Sequence, residues 1–222
     1  MGAVAWLVIA GLLAGWLAVA SQSIAPARAQ TASPRLKIVA LGDSLTAGYL
    51  LRPEEAFPFQ LQTALKQQGR DIDFVNAGVS GDTASAGLAR LDWAVPPDTA
   101  GVILELGAND ALRGIDPAQT VKALGEIITK LKARGVAVLL SGMQAPRNYG
   151  EDYRARFDVL YAELAKAHGV LLHPFFMEGV ALDPKFTLDD RLHPTGAGVA
   201  VIVKGIMPDV LRLIAQIEAK KK

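Results

Sequence analysis

The chain has 222 residues, 51% hydrophobic and 20% charged, which fits one globular domain with a full core and excludes a disordered chain. A net charge of +1 gives no electrostatic basis for nucleic-acid binding. There is no cysteine, so a disulfide scaffold and a Cys-ligated zinc or iron–sulfur centre are excluded; with only three histidines (His168, His173, His193) a His-rich metal site is not expected, and no cofactor or metal is expected, although carboxylate sites stay open.

In chain order, residues 3–20 (AVAWLVIAGLLAGWLAVA) are an uncharged apolar run followed by a polar segment, SQSIAPARAQ. Ala27 and Ala29 flank Arg28 in an A-x-A pattern, so residues 1–29 read as a signal peptide cut after Ala29. The run also approaches the length of a membrane span, which makes an uncleaved anchor the alternative. Either reading exports the domain to a periplasmic or secreted location. Residues 30–35 (QTASPR) read as a linker to a domain over 36–219.

From there apolar runs alternate with helical patterns. Leu36–Leu41 predicts a strand, Glu55–Gln68 a helix, and Ile72–Asn76 a second strand. Thr83–Trp93 predicts one helix and Gly101–Leu106 a third strand. Pro117–Arg134 is the clearest helix, with Asp116 as N-cap and Gly135 as stop. Val136–Ser141 and Val170–Leu172 predict the last two strands, with a Tyr153–His168 helix between them. Thr195–Lys220 predicts a helix broken near Pro208. Short buried strands alternating with helices argue a parallel sheet covered on both faces.

In open α/β sheets ligands bind beyond the carboxyl ends of the strands. Four polar segments fall at that edge: Gly42-Asp43-Ser44, Asn76 to Asp82, Gly107 to Asp110, and Asp189 to Pro194. Together they offer a complete set for acyl transfer. Ser44 can act as nucleophile and His193 as its base. Asp190 can hold the second imidazole nitrogen. The Ser44 N–H, the Gly78 N–H and the Asn109 amide can bind an oxyanion. Asp43 and Asp82 read as hydrogen bonders that stiffen the loops, and His168 and His173 as bystanders. Leu50, Leu51, Phe57, Phe59 and Met143 are candidates for an acyl groove or for ordinary core packing.

These segments resemble the first, second, third and fifth sequence blocks of the SGNH hydrolase superfamily, the GDSL lipases and esterases. GDSLTAG (42–48), NAGVSGDT (76–83), GAND (107–110) and DRLHP (190–194) occur in the family's order. ELGANDALRG and SGMQAPRNYG are most similar to its bacterial periplasmic branch of acyl-CoA thioesterases, arylesterases and lysophospholipases. The resemblance implies a flavodoxin-like α/β/α fold, a five-stranded parallel sheet of order 2-1-3-4-5, and a small acyl ester or thioester as substrate. Two other readings stay open: a carbohydrate O-deacetylase, and a binding domain without catalysis.

Overall fold

The computed structural model describes residues 35–220; the expected leader and its cleavage site lie outside the described residues. Five parallel strands make one sheet: β1 (Leu36–Gly42), β2 (Ile72–Gly78), β3 (Gly101–Glu105), β4 (Ala137–Ser141) and β5 (Leu171–His173). Their order is β2-β1-β3-β4-β5, as the resemblance implied. The central strands are buried along almost their whole length. Every residue of β3 and β4 is buried, as are the last five of β1. Such strands have no polar face, which explains their unbroken apolar runs. Each fully buried aliphatic side chain in them contributes roughly 1.5–3 kcal/mol.

Among the described residues eight α-helices accompany the strands, seven between them and α8 after the last: α1 (Ser44–Ala47), α2 (Phe57–Gln67), α3 (Ala84–Ala89), α4 (Leu91–Ala94), α5 (Ala108–Leu112), α6 (Pro117–Ala133), α7 (Glu151–His168) and α8 (Gly196–Ala219). Helix α2 packs on α8, and α8 lies against β3, β4 and β5. Helices α3, α6 and α7 pack in series and make the other layer. The sheet is thus sandwiched between two helical layers.

Helix ends follow local chemistry. Asp116 caps α6 by accepting from the Ala118 N–H, and Thr195 caps α8 by accepting from the Gly198 N–H. Helix α7 begins two residues earlier than expected, because Glu151 and Asp152 favour the positive end of the helix dipole.

Two expected elements differ. The Thr83–Trp93 segment is two helices, not one. The backbone leaves the helical region at Arg90 (φ −103°, ψ 3°), whose buried guanidinium reaches back to Asp82 and to the Gly42 carbonyl. Conversely, α8 runs through Pro208 without a break. Pro208 and Lys204, whose carbonyl loses its partner, both face solvent. Ile202, Ile206, Val210, Leu213 and Ile217 keep one buried stripe on either side of the proline. Their burial outweighs a helix-interior proline's cost of about 3 kcal/mol.

Candidate active site

All four polar segments meet at the carboxyl edge of β1, β2 and β3. The first is the turn after β1. Asp43 is the N-cap of α1; its Oδ1 accepts the Leu45 N–H at 2.9 Å. Ser44 is therefore the first helical residue, and its N–H has no acceptor within the helix. Gly42 is needed for close approach. A Cβ there would stand 2.1 Å from Thr46 Oγ1 and 2.5 Å from Glu105 Oε2.

The Ser44 hydroxyl lies 2.9 Å from His193 Nε2. His193 Nδ1 lies 2.6 Å from Asp190 Oδ2. Nδ1 donates to the carboxylate, so Nε2 is the acceptor for the serine O–H. Asp190 Oδ1 also accepts the N–H of Leu192 (2.9 Å) and of His193 (3.0 Å). Partial burial pushes the Asp190 carboxyl up, but these hydrogen bonds outweigh it and hold the group at about 2. The Asp190–His193 turn is clamped at its base by the Leu188 N–H on the His193 carbonyl, 2.8 Å. Arg191 adopts φ +60° inside it. The Tyr49 ring lies on the imidazole, with centroids 4.4 Å apart and a 38° tilt.

Asn109 enters from α5. Its Nδ2 donates to Asp43 Oδ2 at 3.1 Å and to the Asp82 carbonyl at 3.0 Å. Asp43 is fully buried, which pushes its carboxyl up to about 6 against the opposing pull of the Leu45 and Asn109 bonds. Asp43 and Asp82 thus stiffen the loops, as their positions suggested; Asp82 also pairs with the buried Arg90.

Gly78 ends β2 opposite Gly42. Its N–H is already committed to Asn76 Oδ1 at 3.0 Å. A Cβ at this position would meet the Ala47 N at 2.3 Å and the Asp43 carbonyl at 2.8 Å. Gly78 therefore lets β2 pack against α1. Three residues on, the Val79–Asp82 turn is closed by the Asp82 N–H on the Val79 carbonyl. The Gly81 N–H inside that turn takes no part in its closure.

The groove candidates divide. Phe57 and Met143 belong to the core, and Leu51 packs against it. Leu50 and Phe59 are exposed. His173 pairs with Asp209 at 2.9 Å, in line with its reading as a bystander. Sequence reasoning passed over Tyr49, which carries no local signal, and Glu105. The second did carry one: it is a carboxylate closing an otherwise apolar strand, GVILE.

Comparison with known proteins agrees with this geometry. Residues 40–201, which contain all four blocks, match the model of the GDSL-like lipase/acylhydrolase family. An arylesterase of Vibrio mimicus is 41% identical over 159 residues, 71% of this chain and 80% of that protein. The thioesterase 1/protease 1/lysophospholipase L1 of Escherichia coli K12 is 42% identical over 158 residues, 71% and 74% of the two chains. The crystal structure of AlinE4, an SGNH-hydrolase family esterase, is similar with a TM-score of 0.69 and 41% identity, over 82% of this chain and 98% of that one. This chain belongs to the GDSL-like lipase/acylhydrolase family and is a hydrolase of ester bonds.

Proposed function

We propose that the chain cleaves carboxylic esters and thioesters through an acyl-enzyme on Ser44. The observation that carries this reading is the line from Ser44 Oγ through His193 to Asp190, with contacts of 2.9 and 2.6 Å. His193 takes the hydroxyl proton as Oγ attacks the acyl carbon. Asp190 holds the imidazole tautomer and stabilises the imidazolium that forms. The tetrahedral oxyanion is met by the Ser44 N–H and the Asn109 amide. For the third donor we favour Gly81 over Gly78, because the Gly78 N–H already serves Asn76. The Asn109 bond to the Asp82 carbonyl keeps the Gly81 segment beside the amide. Collapse expels the alcohol or thiol, which leaves with the proton from His193. Water then attacks the acyl-enzyme, with His193 as base again.

Exposed apolar side chains support an acyl or aryl substrate over a sugar. Tyr49 (41% exposed) lies against His193, and Leu50 (76%) and Leu192 (46%) flank the same two segments. The leader pattern in residues 3–29 supports export, with a mature chain beginning at Gln30. Intact-mass measurement of a periplasmic extract checks that start; a membrane-bound product retaining Met1 would favour the anchor.

Fluorophosphonate labelling with a substrate panel tests the chemistry. One label per chain is expected, abolished in Ser44→Ala. Turnover is expected on p-nitrophenyl esters and acyl thioesters. Labelling that survives Ser44→Ala would move the nucleophile elsewhere. Turnover confined to acetylated xylan would support the deacetylase instead.

A further inference from the structure

The last residue of β3 lies under the Ser44 turn and has no part in the chemistry above. Glu105 is fully buried. Its Oε2 accepts the Thr46 hydroxyl at 2.7 Å and lies 3.4 Å from the Asp43 N–H. These two groups bracket Ser44, one residue before it and two after. Oε1 is buried with no hydrogen-bond partner among the described residues. No cation there answers its charge: among the described residues no salt bridge includes Glu105, and the buried Arg90 is committed to Asp82 and the Gly42 carbonyl. Burial pushes the Glu105 carboxyl well above the usual range, and the neighbouring Asp43 adds to this.

An isolated carboxyl in a dry interior is costly to retain, and a well-packed apolar side chain would be cheaper. The surroundings nevertheless accommodate it. Any side chain at position 42 would strike Oε2 and Thr46 Oγ1, so the bare Gly42 leaves the space through which Glu105 reaches the turn.

We propose that Glu105 is a positioning residue: a buried carboxyl that braces the Asp43–Thr46 turn from below and so aims the Ser44 hydroxyl and N–H. It touches no substrate and acts only through the turn. Asp43 and Asp110, the other buried acids at this edge, accept backbone N–H groups at 2.9 Å, from Leu45 and Ala84. Glu105 has no comparably short backbone donor, and its strong contact is to a hydroxyl. That contact needs only an accepting oxygen, which the side-chain amide of glutamine also offers.

The inference rests on Ser44 as nucleophile, so the experiment separates the two. Glu105→Gln, Glu105→Leu, Thr46→Val and Ser44→Ala are made in the full chain. Each is measured for its urea midpoint, for kcat and KM on p-nitrophenyl butyrate, and for its fluorophosphonate labelling rate. Glu105→Gln keeps the accepting oxygen and should hold kcat within about threefold, well inside the loss that misplacement of a reacting group brings. Thr46→Val and Glu105→Leu remove opposite ends of the contact. Each should lower kcat by about ten- to a hundredfold, slow labelling alike and leave KM within about twofold. If Glu105→Leu does not fold, Thr46→Val alone carries this arm. A folded Thr46→Val with wild-type kcat and labelling would overturn the proposal, as would a Glu105→Gln that loses activity like the leucine variant. A loss appearing in KM would also overturn it. Labelling that persists in Ser44→Ala defeats the nucleophile reading instead, whatever the other three variants do.

Discussion

Replacing Asn109 by alanine removes two things at once, and the structure separates them. The amide holds Asp43 Oδ2 at 3.1 Å and the Asp82 carbonyl at 3.0 Å. Alanine leaves Asp43 Oδ2 buried without that partner, a loss of about 1–3 kcal/mol. A domain with about 5–15 kcal/mol of stability survives this. The loss should depend on pH. The folded-state carboxyl of Asp43 stands at about 6, and the Asn109 bond is one of the contacts lowering it. Without that bond it rises further. A raised acid contributes stability that is complete below its unfolded value and disappears as pH rises through the folded one. The variant's deficit against wild type should therefore be small near pH 4 and larger above pH 6. The second effect is on the reaction. An oxyanion donor typically contributes 10²–10³ in kcat. Both Asn109 N–H groups already have acceptors at rest, so one must be shared with the oxyanion. That trade places the expected loss near the lower end, about a hundredfold or roughly 2.7 kcal/mol. Urea melts at pH 4.5 and 7.5, with kcat and KM on p-nitrophenyl butyrate at pH 7.5, measure both effects. A folded Asn109→Ala within about threefold of wild-type kcat would refute the oxyanion role. A loss carried by KM would make the amide a substrate-binding group.

Asp110→Ala is the control on the same turn: it removes acceptors from the Ala84 N–H and the Thr120 hydroxyl, both at 2.9 Å. It should destabilise by about 2–4 kcal/mol in a thermal melt, with kcat per folded molecule nearer to wild type than that of Asn109→Ala. Gly42→Ala sets a Cβ 2.1 Å from Thr46 Oγ1 and 2.7 Å from the Glu105 carbonyl. Overpacking of this kind costs about 1–3 kcal/mol, and fluorophosphonate labelling should slow with it; a variant of wild-type stability and labelling rate would contradict the close packing. Asp190→Ala removes the acceptor of His193 Nδ1 at 2.6 Å, so kcat should fall by about 10⁴ if Asp190 sets the imidazole tautomer. The depressed Asp190 carboxyl contributes stability above its unfolded value that is lost as pH falls through about 2; the variant should therefore lack this part of the wild-type acid unfolding curve, read by circular dichroism between pH 4 and 2.

Much of this molecule is legible along the chain because much of it is local. Apolar runs bounded by glycine mark the strands, since a strand buried on both faces is mostly apolar along its length. Asp116 and Thr195 announce helix starts because a cap acts within three residues of itself. The segments that follow strands fall at one edge of the sheet because every strand runs parallel. That is why Ser44 and Asn109 can be placed together from the sequence, while the Asp190–His193 pair, which follows no strand, is placed with them by the resemblance of its D-x-x-H block.

Tertiary structure decided what depends on partners far apart in sequence. The Asn109 amide is claimed by Asp43 Oδ2 and the Asp82 carbonyl, neither of them near it in the chain. Pro208 looks like a helix break until the continuous buried stripe of α8 outweighs it. The helix expected over Thr83–Trp93 turns at Arg90 because Asp82 and the Gly42 carbonyl claim its guanidinium. Glu105 is an ordinary charge in a string of letters. Only the fold removes its water, sets Thr46 and Asp43 beside it and leaves it without a cation. Caps and periodicity are short-range and can be read from neighbours. Desolvation and the competition for donors are long-range sums, and they exist only once the sheet, its two helical layers and the loops above its edge have closed together.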